Sequence, residues 1–153
     1  MSALREACEA LARGVAGPAG AGLPARAALN GDGAAFRQAC QVHGVAPLLH
    51  LRLTGQGAGD GAAPEDLAAW LAHQYRQNRE RIARMLGELG EVLALFDREG
   101  VPLMPMKGAV LLPLHYDDPG ARPMNDLDLL LPPEHWEAGH ELLGRLGYER
   151  TFE

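Results

Sequence analysis

The stretch Lys107–Leu131, KGAVLLPLHYDDPGARPMNDLDLLL, decides how the rest of the chain is read. It opens with a Lys-Gly pair leading a short apolar segment and closes with Asp126-Leu127-Asp128 running into Leu129-Leu130-Leu131. In a strand over Asp126–Leu131, side chains alternate between faces. Asp126 and Asp128 then project from one side while Leu127 and Leu129 enter the core. Two carboxylates on one patch repel each other unless a cation sits beside their oxygens. Those oxygens are hard ligands, which favours Mg²⁺ or Mn²⁺ over zinc.

Lys107 is the only lysine in a chain that otherwise uses arginine. A compact ammonium at the start of a turn suits contact with a phosphate. Gly108 allows close approach of backbone to such a group, and the N–H groups that open the following helix are expected to face it. Arg122, held by Pro123, has two readings: a bidentate contact to a phosphate oxygen, or a salt bridge to Asp117 or Asp118. Tyr116 reads as a packed ring and Asn125 as a cap or turn residue. His135 and His140 are five apart, so they do not share a helix face and do not form a metal pair.

Working outward, 153 residues with 47% apolar content suffice for a globular core. No apolar run reaches membrane-spanning length and the first residues lack a signal-peptide pattern, so a cytoplasmic protein with no membrane partner is expected. Cys8 and Cys40 are far apart and read as small core residues. From Val101 to Glu153 there are four basic against nine acidic side chains, a local net of −5. That balance excludes a strong nucleic-acid footprint and favours a metal ion as the direct ligand.

The spacing predicts helices over Ser2–Gly14, Ala34–His43 and Leu48–Leu53, with Phe36, Ala39 and Cys40 on one face of the second. A Gly-rich connection, Thr54–Ala63, lacks the features of a phosphate loop. A long helix follows over Pro64–Glu99, its apolar stripe running from Leu67 and Leu71 through Ile82, Val92 and Phe96, and Gly100 ends it. Gly87 and Gly90 weaken it, which points to a close packing partner or a kink. The arginines at 76, 79, 81 and 84 read as a solvated face. After Gly100 the period changes. A first strand is expected over Val101–Met106, a helix over Lys107–Leu114 and a loop over Tyr116–Pro123. The strand with the two aspartates follows, then a helix over Glu134–Leu146 with Trp136, Leu142, Leu143 and Leu146 inward, and a further strand opening at Tyr148–Phe152.

Taken together, Lys107-Gly108-Ala109, Tyr116, Asp118-Pro119-Gly120, Arg122-Pro123-Met124 and Asp126-Leu127-Asp128-Leu129-Leu130 resemble the signature of a bacterial group of uncharacterised nucleotidyltransferases. That group lies within the polymerase β-type superfamily. The likeness extends to His43–Leu49, Glu99–Pro102 and Leu146-Gly147-Tyr148. It implies an α/β (α+β) fold: a helical region over residues 1–100 and, over 101–153, the front part of a small mixed sheet of nucleotidyltransferase type. The resemblance implies Mg²⁺- or Mn²⁺-dependent transfer of a nucleoside monophosphate from an NTP to a protein, RNA or small-molecule acceptor. In that role Asp126 and Asp128 hold metal and act in catalysis, Lys107 and Gly108 hold the triphosphate, and Arg122 assists.

Two departures stand out. Superfamily members commonly have Gly-Ser where this chain has Gly108-Ala109. They also bring a third carboxylate from a later strand, so the core is expected to be incomplete towards Glu153, with Glu149 and Glu153 as weak stand-ins. Two other readings stay open: a nucleotide- or metal-binding interaction module without turnover, and the toxin component of a toxin–antitoxin pair.

Overall fold

The computed structural model describes residues 3–16, 33–54 and 63–151. These form two compact units: residues 1–80 with 118–123, and residues 81–117 with 124–153. The long helix runs through the division, so its N-terminal half belongs to the first unit and its C-terminal half to the second.

The first unit contains α1 (Ala3–Ala16), α2 (Ala34–Val42), α3 (Ala46–Thr54) and the start of α4 (Glu65–Arg98). Ala7, Leu11, Phe36, Ala39, Cys40, Leu49 and Leu71 form its core, so the predicted buried face of α2 is the one found. α1 continues past Gly14, where the sequence suggested a stop; Ser2 and the connections 17–32 and 55–62 lie outside the described residues. Burial raises the Cys40 thiol to about 12, as for an inert core residue, and Cys8 and Cys40 are both free.

The second unit holds the rest of α4, β1 (Met104–Pro105), α5 (Gly108–His115), β2 (Leu129–Leu130) and α6 (Trp136–Arg145). Its described sheet is one antiparallel pair, Met104 opposite Leu130 and Pro105 opposite Leu129. Met106 N–H donates to the Asp128 carbonyl at 2.9 Å and extends the ladder by a step. Pro105 removes a donor from β1, which keeps the ladder short. The fold is α+β, as the sequence indicates, but regular strand is confined to two residues on each side.

Two clusters build this unit: Val92, Leu95, Phe96 and Leu142, with Leu129 and Leu131 against them, and Ile82, Leu112 and Met124, with Leu127 and Tyr116 against them. Gly100 ends α4 with φ 69, its N–H reaching Asp97 O and Val101 N–H reaching Phe96 O. This is a Schellman cap, which needs the left-handed conformation that glycine adopts freely. Gly147 closes α6 in the same way. No described helix is long and apolar enough to cross a membrane.

Three expectations need correction. Trp136 and Leu146 are 55% and 38% exposed, not inward. Trp136 instead meets the His140 ring edge-on at 4.7 Å, and α6 buries Gly139 and Leu142, with Leu131 filling the space beside Gly139. Residues 148–150 form no strand, and Tyr148 N–H is already taken by the Leu143 carbonyl in the helix cap. Finally, a Cβ added at Gly87 or Gly90 meets nothing within 4 Å, so neither marks a close packing partner. Both sit inside a continuous helix. Gly87→Ala and Gly90→Ala should therefore each stabilise the protein by about 0.5–1 kcal/mol. In a thermal melt the double variant should gain roughly 2–8 °C; a lowered midpoint would show that this face is covered.

Candidate functional site

The turn before α5 supplies the cation. Lys107 adopts φ 48 and ψ −115, the only non-glycine with positive φ among the described residues. A side chain there is sterically strained, and such strain persists where surrounding contacts impose it. The carbonyls of Lys107 and Met106 accept from Leu111 and Ala109, while Gly108 is buried and opens the helix. The expectation of several free N–H groups is thus corrected. Those of Ala109 and Val110 are bonded to Met106 and Lys107 carbonyls, whereas Gly108 N–H has no backbone acceptor among the described residues.

Residues 126–128 lead into β2 without belonging to it, and the Asp128 carbonyl accepts across from Met106 N–H. Leu127 and Leu129 pack against the two clusters of the unit. The strand expected from Asp126 begins only at Leu129, and Asp126 lines the same cleft as Leu127 and Leu129, so strand alternation does not set these side chains apart. Lys107 Nζ lies 2.8 Å from Asp128 Oδ1, with 69% of the lysine side chain and 33% of the aspartate side chain exposed. The Asp128 hydrogen bond and charge raise the Lys107 pKa above the usual lysine value, and the charge of Asp126 adds to this. Asp128 is thus the carboxylate in contact with the ammonium. Because the folded value is raised, the ion pair is intact at neutral pH and is lost as pH rises through that value.

Arg122 lies in the first unit, within 118–123. The salt bridge to Asp117 or Asp118 is not formed, and Nη1 is buried without a hydrogen-bond partner among the described residues. Asp118 has other partners: Tyr75 OH donates to Oδ2 at 2.5 Å and Gly120 N–H to Oδ1 at 2.8 Å. The Tyr75 pKa is accordingly raised, first by that hydrogen bond. Asn78, buried, donates to Gly120 O at 2.9 Å, and a Cβ on Gly120 would come within 2.8 Å of the Tyr75 ring. Tyr75 and Asn78 thus hold the 118–123 segment. Sequence reading missed both, although they continue the stripe from Leu71 to Ile82 at helical spacing.

Among the described residues, no group of three or more His, Cys, Asp or Glu side chains is placed to hold a metal. The acidic motif therefore offers two carboxylates. Carboxylate oxygens are hard donors, so Asp126 and Asp128 are the residues that would hold a divalent ion here. The Lys107 ammonium already pairs with Asp128 Oδ1.

An α+β unit in which a lysine at a strand-to-helix turn contacts an Asp-x-Asp motif is consistent with a fold of nucleotidyltransferase type. The family follows from comparison: the model of the uncharacterised nucleotidyltransferases matches residues 31–153, and the chain belongs to that family. No curated protein and no solved structure matches it.

Proposed function

We propose that the chain transfers a nucleoside monophosphate from an NTP to an acceptor oxygen, with Mg²⁺ or Mn²⁺ held by Asp126 and Asp128. One observation carries this reading: the Lys107 ammonium lies 2.8 Å from Asp128 Oδ1 of the acidic motif, at the strained turn that opens α5. A bound divalent ion would supply charge neutralisation on the triphosphate. In the transfer, the acceptor oxygen forms a bond to the α-phosphorus, the bond to the β-bridging oxygen breaks, pyrophosphate leaves and the acceptor proton passes to solvent. Lys107 exchanges its Asp128 contact for a phosphate oxygen, and Gly108 lets backbone approach the same group.

Lys107→Gly tests the division of labour. Glycine relieves the positive φ, and the exposed ion pair that disappears contributes little to folding. The variant should keep or raise its melting midpoint while NTP-dependent transfer falls about 10²-fold. A stability loss with full activity would place Lys107 among structural residues instead. Transfer itself is tested by following label from α-³²P-NTPs into separated protein, RNA and small-molecule fractions, with Asp126 and Asp128 replaced by Asn as the control.

A further inference from the structure

The second unit carries a cleft of about 570 Å³, a size typical of small-molecule sites. Met85, Val92, Leu129 and Leu143 give it apolar walls. Its charged groups are Glu88, Asp126, Glu149 and Arg150. Arg150 Nη2 lies 3.3 Å from Glu137 Oε2, so its charge is already offset. Glu88 and Glu149 have no ion-pair partner among the described residues. Tyr148, also on the wall, reports the field: burial first, then Glu88 and Glu91, raise its pKa.

An apolar wall beneath uncompensated carboxylates complements a ligand with a hydrophobic body and a cationic head. A triphosphate tail would be repelled there. Asp126 lines this cleft and also belongs to the acidic motif, so a molecule seated in it borders the proposed reacting centre. We propose that the cleft binds the acceptor, a small molecule with an apolar body and a protonated amine or guanidine; this rests on the nucleotidyl-transfer reading.

The test compares 4-phenylbutylamine, 4-phenylbutanol and 4-phenylbutyrate by NMR titration of the full chain at low ionic strength. The amine should bind at least about 10-fold more tightly than the alcohol, with the carboxylate weakest and the preference fading as salt is added. Resonances of Leu143 and Tyr148 should move. Glu88→Gln with Glu149→Gln, both exposed positions, should abolish the preference without unfolding the protein. Equal binding of amine and alcohol, no amine binding at millimolar concentration, or a preference that survives in the double variant would overturn the assignment. So would binding of an arginine-rich hexapeptide in place of the amine. Mg²⁺–ATP thermal shifts separate the two readings. Amine binding without any nucleotide shift would overturn the acceptor role, whereas transfer without amine binding would overturn only the cleft assignment.

Discussion

Replacing Asp126 and Asp128 together by Asn should reduce NTP-dependent labelling of the acceptor by on the order of 10³-fold or more, while leaving the fold in place. Asparagine keeps the shape of each side chain and removes its charge. Developing negative charge on a transferring phosphoryl group is then no longer balanced, and loss of such stabilisation costs about 10³–10⁵ in rate. The structural consequence is small by comparison. Asp126 is exposed and Asp128 partly so, and Lys107 loses one surface partner. Exposed pairs contribute little to stability. Two measurements on the same preparation separate binding from turnover. Mg²⁺–ATP at about 100 times its Kd should stabilise the wild type by about 2.7 kcal/mol, and this shift should shrink in the variant together with labelling. Unchanged labelling would refute the catalytic role of the pair. A retained wild-type shift with no labelling of any fraction would instead identify a nucleotide-binding module.

The second large effect is expected at Phe96, which is 1% exposed and packs with Val92, Leu95 and Leu142. Leu129 and Leu131 rest against the same cluster, so Phe96 supports the strand that follows Asp128. Phe96→Ala should cost about 3–5 kcal/mol, because transfer free energy is lost and rigid neighbours leave a cavity. Total stability of natural domains is about 5–15 kcal/mol, so the variant should be close to unfolding at moderate temperature. Urea denaturation followed by tryptophan fluorescence provides the measurement. A loss below about 1 kcal/mol would mean that this cluster collapses around the gap and does not define the position of β2.

The contrast between these positions shows how differently information is written along the chain. Helix ends were legible because the chemistry is local: Gly100 and Gly147 sit where only a residue without Cβ adopts positive φ cheaply. The face of α2 was legible because Phe36, Ala39 and Cys40 repeat at helical period. Trp136 and Leu146 were misread for the opposite reason. Period says which side of α6 is apolar, but Leu131 beside Gly139 decides which turns are covered. The strained backbone of Lys107 was equally invisible, since nothing local demands positive φ of a lysine.

By itself, the sequence determined the helices, the glycine caps of α4 and α6, and the family. All of these depend on neighbours a few residues apart. Only the tertiary structure decided that Lys107 lies on Asp128, that Arg122 forms no bridge in its own loop, and that Glu88, Asp126 and Glu149 line one cleft. Those relations join residues up to about sixty positions apart. They arise when apolar surfaces are buried together, and no local periodicity encodes which distant charges that burial brings face to face.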